Sequence, residues 1–271
     1  MSDEAAAGTP FPAPTPPKPG DTYVQSFARG LAVIRSFSAE APSQSLSEVA
    51  ARTGLTRAGA RRILLTLEGL GYVECQGRQF RLTPKILDLG FAYLSSLPLW
   101  NLAEPVMEQL VAEVKESCSA AVLDGTELVY VLRVPTHKIM SINLGIGSRL
   151  PAACTSMGRT LLAELDETAV DALLASHPPA AHTDRTITDP TRLKAELARV
   201  RRQGWCVVDQ ELEEGLVSLS VPIRDRAGRA IAAMNVSGQA ARTPAPRMVE
   251  LFLPRLQAAA AQISQMLQVK A

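Results

Sequence analysis

A bilayer-crossing helix is excluded at the outset, because no uninterrupted apolar run in the 271 residues reaches membrane length. The first twenty residues are rich in Ala, Pro and Thr and lack the basic start and apolar core of a signal peptide, so 1–20 read as a disordered leader. Cysteine is sparse: Cys75, Cys118, Cys154 and Cys206 stand far apart, with no CxxC pair and no histidine at ligand spacing. That pattern argues against a zinc site or a disulfide framework and fits the cytoplasm. The three histidines, His137, His177 and His182, share no spacing with carboxylates that would suggest a metal site or a catalytic dyad. A phosphate loop, a nucleophile with a matched base and an acid and base at defined spacing are all missing, so no enzyme, cofactor or metal is expected. Charge of one sign is scarce too, the formal net charge being only +1.

What is present is apolar material for two globular domains, 46% hydrophobic against 20% charged residues over a chain of 271. No internal repeat of solenoid period interrupts it. Residues 21–97 carry nine Lys/Arg against six Asp/Glu, whereas 98–271 carry eighteen against nineteen. The modest basic excess therefore lies in the first third. Binding to a polyanion would lean on two or more copies of that segment and weaken with salt.

Within that third, Ser45 to Arg81 (SLSEVAARTGLTRAGARRILLTLEGLGYVECQGRQFR) reads as two short helices across a tight turn, followed by a hairpin. Ser45 and Ser47 can cap a helix whose Leu46, Val49 and Ala50 fall at helical spacing, and Gly54 can supply the left-handed residue that ends it. Thr56 is the N-cap expected for the second helix, whose Ala60, Ile63, Leu64 and Leu67 share one inward face. Arg57, Arg61 and Arg62 then project outward with Thr56, near the end that enters the major groove in such a unit. Gly69 and Gly71 close the helix. Tyr72–Cys75 and Gln79–Leu82 pair about a Gln-Gly-Arg turn as a wing, placing Arg78 at its tip, toward a phosphate or a minor groove. An i,i+4 basic pair alone is equally the pattern of a solvated helix face. The order of turn, caps, inward face and wing is what points to a double-stranded DNA operator as partner.

Ahead of these helices, Val24, Phe27, Leu31, Ile34 and Phe37 recur at three and four spacing, predicting a helix that covers the other two and completes a DNA-binding unit over 21–83. Pro84 then opens a helix over 84–97 with an unusually broad apolar surface, a linker that also packs on a partner chain or an ordinary core helix.

From 98 to 271 the texture changes. Leu99–Glu116 reads as a helix, Cys118–Leu123 and Glu127–Val134 as strands about Asp124-Gly125, and Lys138–Leu144 as a third extended run. Helices are predicted at Thr155–Leu165, Glu167–Ser176 and Pro190–Gln203. Strands return at Trp205–Asp209, Leu216–Arg224 and Arg229–Val236, before a final helix from Pro246 to about Gln268. Two groups of strands with helices between and around them imply an α+β fold on a mainly antiparallel sheet.

The runs QSFARGLAVIRSFS, LSEVAARTGLTRAGARRILLTLEGLGYV and RVPTHKIMSINLGIGSRLPAACTSMGRTLLA resemble the IclR family of bacterial transcription regulators, over about Tyr23 to Leu267. YVLRVPTHKIM and CTSMGR are most similar to the branch controlling protocatechuate, 4-hydroxybenzoate and β-ketoadipate catabolism. The resemblance implies an N-terminal winged helix-turn-helix, a linker helix, and a GAF-like antiparallel α/β domain over 98–271 that binds a small organic acid. It also implies homodimers that commonly pair into tetramers, with no membrane association.

An effector pocket can be assembled partly from residues and partly from that resemblance. Leu150–Arg159 passes from strand to helix, so the amides of Ser156, Met157 and Gly158 lie near a helix amino end, which favours a carboxylate. Positions matching Ser156 and Met157 touch the effector in the family. Asp209, Ser218, Asn235 and Ser237 are small polar residues in otherwise apolar strands, and the last three fall on period-2 faces that can share one cavity. Each could instead be a cap, a strand end or a solvated position. Arg133 and Arg149 are candidate counter-charges for an aromatic or dicarboxylic acid, a surface salt bridge being the alternative for either. Cys154, lone and flanked by apolar residues, reads as packing rather than a redox sensor. The competing function class is a small-molecule enzyme with a helical cap, for which Gly145-x-Gly147 and Asp209 are the evidence.

Overall fold

The structure, a computed structural model, describes residues 23–96, 99–136 and 144–269. The leader expected over 1–20 and most of the extended run expected at Lys138–Leu144 lie outside the described residues. The chain divides between Ser96 and Leu97 into two compact units.

In the first unit, α1 (Gln25–Arg35), α2 (Leu46–Thr53) and α3 (Arg57–Gly69) pack around Val33, Phe37, Val49, Ala60, Leu64 and Phe80. A full capping box starts α2: Glu48 N donates to Ser45 Oγ at 3.4 Å and Ser45 N to Glu48 Oε2 at 2.7 Å. Gly54, at φ 66°, ends it in the left-handed conformation that glycine enters without penalty. The wing strands β2 (Val73–Gln76) and β3 (Gln79–Leu82) are joined by a strand the sequence reading lacked, β1 (Ser43–Ser45), in the order β1-β3-β2. Three residues are too short to show alternation, and Ser45 serves at once as strand end and helix cap.

The α1 stripe is a correction. Val33 and Phe37 are buried and Ile34 packs beside them, but Val24, Phe27 and Leu31 are 64%, 68% and 42% exposed. Only the carboxyl half of α1 faces the other helices, so the first two turns hold their apolar side chains outside the core. The segment opened by Pro84 begins as a short 3-10 turn, Pro84–Ile86, before α4 (Leu87–Ser96). Thr83 Oγ1 donates to the Gly71 carbonyl at 2.5 Å and Lys85 Nζ to that of Leu70 at 2.9 Å, tying this start to the end of α3. Leu87, Leu89 and Phe91 on α4 are 69%, 50% and 68% exposed.

The second unit is a six-stranded antiparallel sheet in the order β6-β5-β4-β9-β8-β7, formed by β4 (Ser117–Asp124), β5 (Glu127–Val134), β6 (Arg149–Pro151), β7 (Cys206–Asp209), β8 (Leu216–Arg224) and β9 (Ala230–Gln239). Helices α5 (Leu99–Val114) and α9 (Ala245–Val269) pack together on one face, and α6 (Ser156–Leu162) lies on the other, backed by α8 (Pro190–Gln203), with α7 (Glu167–Ser176) in the same apolar cluster as α8. The fold is α+β, as expected. Strand alternation separates the faces: on β8, Val217, Leu219, Val221 and Ile223 are fully or nearly fully buried opposite the face that carries Ser218 and Ser220.

Candidate functional site

On the first unit the exposed side of α3 carries Arg57, Arg61 and Arg62, and the wing turn carries Arg78; all four are exposed. None forms an ion pair among the described residues, whereas Arg81 on β3 is paired with Glu74. Thr56 caps the helix, its Oγ1 accepting from Gly59 N at 3.1 Å, while its exposed hydroxyl keeps its proton to donate. The outcome is a row of unneutralised guanidinium groups along one helix and a further one on the hairpin beside it, chemistry suited to phosphates and guanine edges.

The second unit holds a cavity of about 580 Å³ of space between atoms, its open mouth included, between α6 and the sheet. Ser156, Met157, Ser218, Asn235, Ser237 and Arg133 all line it. The strand registers explain the convergence. Ser237 stands opposite both Ser117 and Ser218, and Asn235 opposite both Ser119 and Ser220, so six small polar residues from β4, β9 and β8 share the α6-facing side.

These groups form a hydrogen-bonded chain. Asn235 Oδ1 accepts from the Ser119 amide at 3.1 Å, which leaves its Nδ2 to donate to Ser218 Oγ at 2.8 Å. Ser218 Oγ in turn shares a hydrogen bond with Ser156 Oγ at 2.7 Å, which either hydroxyl can donate. Deeper along the same face Ser220 meets Thr160 at 2.7 Å. Thr155 is no side-chain cap, since its hydroxyl turns back to the Pro151 carbonyl at 3.0 Å.

Three expected effector residues lie outside the cavity lining. Asp209 follows Val208, which lines it, so alternation turns Asp209 away, where it pairs with Arg185 at 2.7 Å. Arg149 precedes Leu150, another lining residue, and points outward to Asp124 and Glu127 at 2.6 and 2.7 Å. Gly158 is a packing residue: a Cβ there would sit 2.2 Å from the Ala152 carbonyl oxygen, so only glycine lets α6 lie on that segment.

Tyr130 is the principal lining residue that sequence reasoning missed. Arg133 and Tyr130 are three apart, which in a regular strand puts them on opposite faces. A bulge where β5 meets Ala120 and Ala121 shifts the register, so that Arg133 stands opposite Ser119 and Tyr130 opposite Ala121. Both side chains therefore reach the cavity. Burial pushes the Tyr130 phenol up to about 12, partly offset by the Arg133 charge, so it enters the site as a neutral group. Arg133 is half-buried, lies 3.5 Å from Ser119 Oγ, and pairs with no carboxylate among the described residues. Burial likewise raises Cys154, which lines the cavity, to about 11, so it is a thiol there.

Comparison with known proteins decides the family. The model for the IclR helix-turn-helix domain matches residues 26–77, and that for the bacterial transcriptional regulator IclR C-terminal domain matches 91–265. The chain belongs to the IclR family. It is a DNA-binding transcriptional regulator and not an enzyme. Among IclR-family relatives, the Pca regulon regulatory protein of Pseudomonas putida is 44% identical over 88% of this chain and 82% of its own. A transcriptional regulator of Rhodococcus sp. RHA1 of known structure is 48% identical, with a TM-score of 0.83 over 92% of this chain and 100% of that one. An IclR homolog from Microbacterium hydrocarbonoxydans, crystallised with 4-hydroxybenzoate, is 27% identical, with a TM-score of 0.81 over 91% of this chain and 100% of that one. These likenesses place the chain beside the regulators of the Pca and p-hydroxybenzoate branch.

Proposed function

We propose that this regulator controls genes of aromatic catabolism in the cytoplasm in response to a small organic acid, an aromatic acid or β-ketoadipate, bound in the second unit. The observation that carries this reading is the cavity itself: apolar walls, one half-buried guanidinium from Arg133, and the Ser156 hydroxyl at the end of a hydrogen-bonded chain. An acid with a flat apolar body fits that chemistry, its carboxylate meeting Arg133 or Ser156 and its ring meeting Met157 and Tyr130. The names of the relatives support the branch, one of which regulates the Pca regulon and another of which activates p-hydroxybenzoate hydroxylase transcription. Ser218, Asn235 and Ser237 complete the binding surface; Asp209, Arg149 and Gly158 act in ion pairs and packing.

The operator is double-stranded DNA, read by Arg57, Arg61 and Arg62 from the major groove and by Arg78 from the wing. Two or more copies grip it together, consistent with the small basic excess of residues 21–97. The exposed apolar side chains of α1 and α4 supply the surface a second copy of the chain would cover. Calorimetric titration with protocatechuate, 4-hydroxybenzoate, β-ketoadipate and glyoxylate tests the reading. Saturable binding of one of the first three supports the branch. Binding of glyoxylate alone keeps the family and discards the branch, and silence with all four removes the acid-binding half.

A further inference from the structure

Among the described residues, the most deeply buried charge of the second unit lies beside the cavity without lining it. Arg159, on α6 three residues after Ser156, is 1% exposed at its side chain, and Glu211, in the connection from β7 to β8, is 10% exposed. The pair is bidentate, Nη1 to Oε1 at 2.6 Å and Nη2 to Oε2 at 2.5 Å, while Nε donates to the Ala153 carbonyl at 2.7 Å. Glu211 is in turn a hub. Its Oε2 accepts from the Ile187 amide at 2.9 Å and its backbone carbonyl from Thr186 Oγ1 at 2.6 Å, while Thr183 Oγ1 donates to the Gln210 carbonyl at 2.7 Å.

Burying two charges is costly, and the desolvation penalty commonly cancels what the pair gains, so such a pair is poor evidence of stabilisation. What a two-pronged guanidinium–carboxylate contact does supply is fixed geometry. Here it joins two walls of one cavity: α6, which contributes Ser156 and Met157, and the β7–β8 connection, which contributes Leu212 next to Glu211. That connection is held under strain. Gln210 sits at φ 62°, a conformation few non-glycine residues adopt, with its side chain accepting from the Gly215 amide at 2.9 Å. A strained turn stays in place only when its neighbours over-determine it, and Glu211 is its inward anchor.

We infer that the Arg159–Glu211 pair is a positioning device for effector binding: it sets the distance between the Ser156–Met157 wall and the Leu212 wall and thereby how tightly the acid is held. The inference rests on the cavity being the effector site. The test is the full-length double variant R159M/E211L, in which two apolar side chains of similar length replace the pair and leave no orphan charge. R159M alone strands the Glu211 carboxylate in the interior and serves as the destabilised contrast. The double variant folds, keeps its DNA affinity in the absence of effector, and binds the acid roughly tenfold or more weakly than the parent. A folded double variant that binds the acid as tightly as the parent overturns the inference. Hydrogen exchange separates this from failure of the acid reading. If the parent binds none of the acids, faster exchange at the amides of 210–216 in the double variant upholds the brace between the walls, and unchanged exchange refutes it.

Discussion

The two units treat their polar groups in opposite ways. On the first, Arg57, Arg61, Arg62 and Arg78 stand in solvent without ion-pair partners among the described residues. In the second, Ser156, Ser218, Asn235 and Arg159 are enclosed and tied to partners across the fold. Exposed charge needs only a helix to present it and acts over a Debye length, whereas an enclosed hydroxyl needs every neighbour in register. Mutation should therefore act locally in the first unit and structurally in the second.

The largest effect belongs to Gly158→Ala. The new methyl meets Ala152 backbone that no rotamer change can move, so the second unit loses about 3 kcal/mol or more. Both tryptophans, Trp100 and Trp205, lie in that unit, so denaturation followed by their fluorescence reports on it directly. An unchanged midpoint means α6 can lift from the Ala152 segment. Arg61→Ala comes next. It weakens binding to a duplex selected from random DNA by the chain itself by about 1–3 kcal/mol while calorimetric effector binding stays at the parent value; undiminished DNA affinity means that the recognition face has been misassigned. Ser237→Leu is the mirror experiment, overfilling the cavity at a cost to acid affinity of about 1–3 kcal/mol and leaving effector-free DNA binding intact.

These contrasts track what the sequence made legible. In α2 and α3 the local pattern was readable: the Ser45 and Gly54 termini, the inward Ala60, Leu64 and Leu67, the outward arginines. The α1 stripe was misread because periodicity identifies an apolar face without saying what covers it, and Phe27 and Leu31 face outward within their unit. In the second unit the strands of the cavity floor were readable, and with them Ser218, Asn235 and Ser237. Its contacts join residues 62 and 116 apart, Ser156 with Ser218 and Ser119 with Asn235, and no local pattern encodes which strand edge meets which. Asp209 and Arg149 fall outside the cavity lining by one residue of alternation, and Tyr130 was hidden by a bulge inside β5.

The remaining effects are smaller. Cys154 and Tyr130 hold their protons more tightly folded than unfolded, with folded values of about 11 and about 12 against ordinary values of 9.0 and 10.0. The folded state then binds more protons than the unfolded one above about pH 9, so their contribution is complete below that pH and is lost as pH rises through 11 to 12. Tryptophan-monitored denaturation at about pH 8 and about pH 11 should show the decline. Smallest of all, Arg149→Ala removes two exposed ion pairs and Asp209→Asn one, each substitution costing about 1 kcal/mol or less of stability and leaving acid affinity unchanged. A loss of binding in either would return that residue to the site.

The coupling of acid to DNA is the core of the proposed function, and it is reciprocal by thermodynamic necessity. The most direct test is the affinity of the full chain for its acid measured by calorimetry with and without the selected duplex. The account predicts that the duplex changes acid affinity, and that the acid changes duplex affinity by the same factor. Equal acid affinity in both states would contradict it, leaving two binding units that share a chain without communicating.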